Sequence, residues 1–207
     1  MKKLSILFVF AGIILLCVGG YRYFTIQAAE DQAMNEAQNI LTEAKEANQA
    51  NQTSQSAKSD ESVEPVKQEK NSFQPETGDV VGVLEIPELN AELPIIEGTD
   101  PDELEKGVGH YKSSAYPEQS DQVVLSGHRD TVFRNLGELK NGDTFIVKLS
   151  YGDFEYEMVS SKIVDADDTT VIKSTAPREE LVITTCYPFS YIGNAAERYI
   201  IYAKPVY

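Results

Sequence analysis

The sequence predicts a mainly β domain: a closed or nearly closed barrel of about eight strands with short helices, preceded by an N-terminal transmembrane helix and a linker. Three observations carry this reading. The C-terminal two thirds of the 207 residues break into short apolar runs punctuated by Gly, Pro, Asn and Asp. Several of those runs alternate with period two, the signature of a half-buried strand. Helix-start chemistry is confined there to one short segment, which argues against a bundle.

Lys2 and Lys3 precede a nearly uninterrupted apolar stretch over 4–20. Its length is near the short limit for a membrane span and exceeds a usual signal-peptide core. Tyr21, Tyr23 and Phe24 then suit a membrane–water interface. Residues 1–27 are therefore read as a cytoplasmic tip and single-pass anchor, with the remainder of the chain outside the cell. A signal cleaved near Ile26-Gln27-Ala28 is the competing reading, and bulky Leu16 before Cys17 argues against lipoprotein processing. Residues 28–77 are read as stalk and disordered linker. Over 28–50 good helix formers dominate, with Ile40, Leu41, Ala44 and Ala47 at helical spacing. Over 51–77 apolar content almost vanishes. As a flexible coil this last stretch spans on the order of 30 Å, holding the domain off the membrane while leaving it mobile.

The remaining stretch, 78–207, is the size of one ordinary domain. Strands are predicted over 80–86 and 91–97, joined by a turn at Pro87-Glu88-Leu89-Asn90, with Pro94 marking an edge strand. Asp100-Pro101-Asp102-Glu103-Leu104 starts a helix that Gly107 and Gly109 stop. A buried strand follows over 122–126. A turn at Asn141-Gly142-Asp143 leads into 144–149, which pairs with Phe154, Tyr156 and Met158 as a hairpin. Further strands are predicted over 162–164, 181–185 and 199–203.

Net charge is −15, from 18 basic and 33 acidic residues; within 78–207 the counts are 11 and 23, or −12. The acidity thus belongs to the domain and argues against nucleic acid or anionic lipid headgroups as partners. Glu85, Glu88, Glu92, Asp100 and Asp102 offer carboxylates for calcium, but their spacing matches no EF-hand loop. Two histidines and one cysteine outside the leader make no zinc pattern, and no phosphate-binding glycine loop is present. No cofactor or metal is expected.

Chemistry concentrates at the ends of three apolar runs. Cys186 ends 181–186, His128 follows Val123-Val124-Leu125-Ser126-Gly127, and Arg198 opens the run Tyr199-Ile200-Ile201-Tyr202. A thiolate is a strong nucleophile at neutral pH. An imidazole can take the thiol's proton and return it to a leaving amine. Arg198 offers a permanent charge and a planar donor fork for an oxyanion or a peptide backbone. The bland alternatives are an inert strand-end thiol, a hydrogen-bonded structural histidine and an ion pair between Arg198 and Glu197. His110, in Gly109-His110-Tyr111, is assigned the structural role.

The chain resembles a sortase, a membrane-anchored cysteine transpeptidase of Gram-positive bacteria. The resemblance covers essentially all of 78–207. It is carried by Ile95-Ile96-Glu97-Gly98-Thr99, Gly107-Val108-Gly109-His110-Tyr111 and Leu125-Ser126-Gly127-His128-Arg129-Asp130-Thr131. Leu139-Lys140-Asn141-Gly142-Asp143, Thr184-Thr185-Cys186-Tyr187-Pro188 and Glu197-Arg198-Tyr199 continue it. It implies an eight-stranded sortase barrel with His128, Cys186 and Arg198 as the catalytic residues. It also implies cleavage of a C-terminal sorting motif of Leu-Pro-any-Thr-Gly type in surface proteins, through a thioacyl enzyme resolved by an amine of a cell-wall precursor. Where the family signature reads Thr-Leu-any-Thr, this chain reads Val182-Ile183-Thr184-Thr185. A single N-terminal apolar segment and the lack of an Asp-Pro-aromatic lid make it most like class D, with class A the alternative. Thr185, Tyr187 and Pro188 are candidate substrate contacts, in a loop over 187–196 whose Phe189, Tyr191 and Gly193 would help shape a groove. The rival functions are a cysteine hydrolase that resolves its acyl group with water, and a non-catalytic anchored domain that binds peptides.

Overall fold

The computed structural model describes residues 2–55, 73–190, 193 and 195–206. Eight strands close into one barrel: β1 (Val80–Ile86), β2 (Ala91–Glu97), β3 (Val108–His110), β4 (Gln122–Ser126), β5 (Thr144–Leu149), β6 (Gly152–Asp165), β7 (Glu180–Tyr187) and β8 (Glu197–Pro205). Their order is β1-β2-β3-β4-β7-β8-β6-β5, and β5 pairs back with β1. The pairs β2–β3 and β4–β7 are parallel, and all others are antiparallel.

The apolar runs are continuous because the wall is covered on both sides at several strands. Val123, Leu125, Leu181, Ile183 and Ile201 belong to the central core with Phe145, Tyr156 and Met158. Their chain neighbours Val124, Val182 and Ile200 belong to a separate outer cluster with Val171. Period two therefore sorts side chains between an inner and an outer core rather than between core and water.

The count of eight strands matches the sequence reading through two offsetting differences. The segments 154–158 and 162–164, read as separate strands, are parts of the single strand β6, whose register shifts between Met158 and Ser160. The bulge lets one long strand serve both β5 and β8. Strand β3, in a glycine-rich stretch read only as a helix stop, supplies the eighth member. Its glycines are there for close approach: a Cβ on Gly109 would lie 2.3 Å from the Gly98 carbonyl oxygen, and one on Gly107 would lie 2.4 Å from that of Pro94. Nor is β2 an edge. It pairs on both sides, but its ladder to β3 begins at Ile95, so Pro94 lies just outside that ladder. The helix start is confirmed as α2 (Pro101–Leu104), with Asp100 and Glu103 forming a reciprocal capping box.

The larger difference is at the N-terminus. One helix, α1 (Lys2–Gln55), runs unbroken through the apolar stretch and the expected stalk. It is long and apolar enough to cross a membrane by length and composition. Beyond the apolar stretch it does not stand free. Ala33, Ala37 and Leu41 are buried against Val80, Val83 and Ile96 on the outer face of β1–β2, with Met34 and Ile40 beside them. The small alanines let the helix axis approach the sheet, and the positions repeat at helical spacing. Ala47, the last residue of the expected stripe, is exposed. Most of the linker reading falls on 56–72, outside the described residues.

His110 takes the structural role assigned to it. Its Nδ1 donates to Glu97 Oε2 at 2.7 Å, and Nε2 lies 3.0 Å from the Ala115 carbonyl oxygen. The Tyr116 ring stacks on the imidazole at 3.9 Å and its hydroxyl donates to the same Glu97 oxygen. Burial, aided by Glu97, holds the Tyr116 phenol far above the usual tyrosine range. Glu97→Ala strips both buried groups of their shared acceptor and is expected to cost about 3–5 kcal/mol, read as a lowered urea midpoint. Wild-type stability would remove this network from the framework of the barrel.

Candidate active site

Parallel pairing of β4 with β7 runs from Gln122 opposite Glu180 to Ser126 opposite Thr184. Both strands therefore leave the barrel at the same rim. Two further bonds carry the contact past the ladder: the Gly127 amide donates to the Thr184 carbonyl at 3.2 Å, and Thr185 Oγ1 donates to the Gly127 carbonyl at 2.7 Å. Strand β8 runs antiparallel to β7, so its first residues arrive at that rim, with Arg198 directly opposite Cys186. Such facing pairs have Cα atoms about 4.5–5.5 Å apart. His128, Cys186 and Arg198, each half-buried, line one groove of about 500 Å³.

Gly127 is dictated by packing, since a Cβ there would lie 2.6 Å from the ring of Phe133, which is buried beneath it. Arg198 is not paired with the Glu197 carboxylate among the described contacts. Its Nη1 donates to the backbone carbonyls of Ala195 at 3.1 Å and Glu197 at 3.0 Å, which holds the guanidinium at the rim.

The opposite wall of the groove is the β6–β7 connection, which the sequence reading left unassigned. Val164, at the end of β6, and Asp168, Val171 and Ile172 of the connection line the groove, and Val171 is anchored in the outer cluster. The only sequence signal was that apolar Val171-Ile172 interrupts a polar stretch. Asp168 caps the 3-10 turn Thr169–Val171, and hydrogen bonds from the Thr170 hydroxyl and amide hold its carboxyl below the usual range. Farther along, Asp121 accepts from the amides of Thr175 at 2.6 Å and Ala176 at 3.1 Å and from Ser174 Oγ at 2.9 Å. The Thr175 and Gln122 amides lead in holding its carboxyl below the usual range.

Of the candidate substrate contacts, Thr185 lines the groove, but its hydroxyl is engaged by Gly127. Tyr187 and Pro188 are not among the residues lining it. Tyr187 packs edge-on against Phe189 and stacks with Tyr199, while the Pro188 carbonyl faces Arg129. Tyr191 lies outside the described residues. Arg129 is the residue the sequence reading missed. It is buried, and its Nη1 and Nη2 donate to the carbonyls of Pro188 at 3.1 Å and Gly193 at 2.8 Å. It thereby ties the segment carrying His128 to the connection that follows Cys186. A cation directly after His128 at the end of an apolar strand was the available signal.

Among the described residues no three His, Cys, Asp or Glu side chains gather as a metal site. Two of the carboxylates considered for calcium, Glu85 and Glu92, are paired with Lys148 at 2.5 and 3.3 Å.

Comparison with known proteins gives one answer. The sortase domain family model matches residues 84–206. Sortase D of Bacillus subtilis is 51% identical over 207 residues, all of both chains. A sortase D5 transpeptidase of Clostridium perfringens superposes with a TM-score of 0.63 at 24% identity, covering 83% of this chain and 99% of that one. Sortase C of Clostridium perfringens, solved with the C-terminal cell wall sorting motif, gives 0.59 at 24% identity over 90% of this chain and 96% of that one.

Two outcomes are expected from the tethers around the groove. Arg129→Ala removes two carbonyl anchors, so amide exchange through the β7–β8 connection should accelerate while that of β4 and β7 stays slow. Equal exchange in that connection would show that Arg129 does not hold it. The depressed Asp121 carboxyl contributes stability that is present above its unfolded value and lost as pH falls through the lower folded value. Proteolysis within 173–178 should therefore rise only below the usual aspartate range, and Asp121→Asn should show that susceptibility already at neutral pH.

Proposed function

Because this chain belongs to the sortase family, whose members are cysteine transpeptidases, we propose that Cys186 is its nucleophile, His128 its acid–base partner and Arg198 its oxyanion or backbone donor. The observation that carries this reading is the convergence of the three residues on one groove at the shared rim of β4, β7 and β8. The Cys186 thiolate attacks the carbonyl before the scissile bond. Arg198 faces that carbon's developing oxyanion. The C–N bond breaks, His128 gives its proton to the departing amine, and a thioester to Cys186 remains.

The substrate is a surface protein carrying a C-terminal sorting motif of Leu-Pro-any-Thr-small type, cut after the threonine. The groove suits an extended peptide, with an apolar wall from Val164, Val171, Ile172 and Ile200. The C. perfringens sortase C solved with a sorting motif supports the same assignment. An amine of a cell-wall precursor then resolves the thioester. The apolar stretch of α1 serves as a single-pass anchor with a cytoplasmic N-terminus, and 78–207 is the catalytic domain outside the cell. Similarity to Sortase D supports a class D assignment.

The test is to incubate the full chain in detergent with a panel of Leu-Pro-any-Thr-small peptides and follow its intact mass. An adduct equal to the N-terminal peptide fragment, absent in Cys186→Ala, is expected, and the panel names the preferred motif. No adduct while Cys186 still alkylates would sink the transpeptidase reading in favour of a binding domain. Arg198→Lys keeps the charge but loses the donor fork, so acylation should slow on the order of 100-fold. Near-normal acylation would reduce Arg198 to a rim residue. With a primary amine in competition, ligated product should exceed hydrolysed product, whereas hydrolysis alone would define a cysteine hydrolase.

A further inference from the structure

The outward side chains of β4 and β7 stand in rows below the Cys186 rim. Val124 pairs with Val182 in the outer cluster, and Val171 packs over them. One row farther down, Gln122 faces Glu180, where the ladder ends. The open surface does not stop at the cluster. Tyr111 and Ile172 line both the Cys186 groove and a further space of about 310 Å³ beside Gln122. Lys173 lines that space and also a third, of about 490 Å³, beside Glu180 and Tyr202. The three spaces thus follow one another along the β6–β7 connection, away from Cys186. Three cations, Lys162, Lys173 and Arg178, line the last of them. All are exposed, and none forms an ion pair among the described residues. The acids around them are occupied elsewhere: Asp168 accepts from Thr170, Glu179 from the Tyr156 hydroxyl at 2.7 Å, and Glu180 from Gln122 Nε2 at 3.3 Å. A strongly acidic domain therefore carries one local surface whose cations have no carboxylate of their own.

Building on the assignment of His128 and Cys186 above, we propose that these spaces form a subsite for the substrate segment just N-terminal to the sorting motif, and that this segment is acidic. Direction decides which end of the peptide reaches it. His128 meets the departing amine, so the C-terminal side of the scissile bond lies toward His128. The N-terminal side runs away from it, down the wall of Val171 and Ile172. At strand rise, β7 descends about 20 Å from Cys186 to Glu180, and a motif from Leu to Thr spans about 13 Å of that. The residues one to about five places before the leucine therefore fall at Lys173 and then at Lys162 and Arg178. Carboxylates there gain charge-assisted hydrogen bonds, and the Arg178 fork can hold one of them with two. The rest of the domain repels an acidic peptide, so the preference is local to this surface.

The test uses the full chain in detergent and three peptides that share the preferred sorting motif. They differ only in the four residues before it, which are all Asp, all Ser or all Lys. The readout is kcat/KM for acylation of Cys186, at low and at high salt. The aspartate peptide is expected to exceed the serine peptide about fivefold, the worth of one or two exposed ion pairs, and to lose that lead at high salt. The net charge of the domain alone favours the opposite order, with the lysine peptide first. Reversing the surface with Lys162→Glu, Lys173→Glu and Arg178→Glu together is expected to put the lysine peptide ahead of the aspartate peptide. All three positions are exposed, so the core is untouched. Equal rates for the three peptides, or an aspartate preference that survives the reversal, would overturn the subsite. Indifference to the peptide flank together with binding of polyphosphate, lost in the reversed variant, would overturn it in favour of a phosphate polymer. Failure of the wild type to form an acyl adduct with any peptide would instead overturn the function on which the inference rests.

Discussion

Parallel pairing between β4 and β7 is the constraint from which the rest of this site follows. Two strands separated by more than fifty residues run side by side, from Gln122 opposite Glu180 to Ser126 opposite Thr184. Had they paired antiparallel, the residues after Ser126 and Thr184 would leave opposite ends of the barrel, and His128 could not stand near Cys186. With parallel strands both exits share one rim. The antiparallel return of β8 then places Arg198 opposite Cys186 without further adjustment. The hydrogen bonds at Gly127 extend this register beyond the ladder, which explains why a residue without a Cβ, and with Phe133 beneath it, occupies that position.

Covering the outer face of the barrel costs the chain two extra elements, and both become walls of the functional region. The turn Thr169–Val171 seals Val124, Val182 and Ile200, and in doing so forms one side of the Cys186 groove. Helix α1 seals Val80, Val83 and Ile96, and in doing so reaches the far side of His128. The same apolar burial that stabilises the barrel thus fixes the shape of the spaces at its rim. Arg129 adds a polar counterpart, because a buried guanidinium bonded to two carbonyls resists displacement more than an apolar contact of similar size.

The helix changes the physical picture of how the barrel is held to the apolar stretch. A flexible tether would let the catalytic domain sample many heights and orientations above a membrane. A helix continuous with the apolar stretch over 4–20 and docked over Ala33, Ala37 and Leu41 restricts both. Stiffness of this kind narrows the search for a partner confined to the same surface.

The sequence by itself determined the elements whose chemistry is local. Period-two runs, turns at Asn141-Gly142-Asp143 and Leu89-Asn90, and the capped start at Asp100 mark structure through the residues that build it. Residues with nucleophilic, basic and cationic groups at strand ends singled out Cys186, His128 and Arg198 for the same reason. What depended on distant partners was not legible. Gly107 and Gly109 read as breakers because the carbonyls that approach them belong to Pro94 and Gly98. Tyr187 and Pro188 looked like groove residues, whereas their neighbours Phe189, Tyr199 and Arg129 turn them to packing and anchoring. The docking of α1, the wall formed by Val171 and the role of Arg129 were decided by tertiary structure alone. Each is a contact between segments far apart in the chain, and local residue pattern holds no record of which surface an apolar stripe or a buried cation will meet.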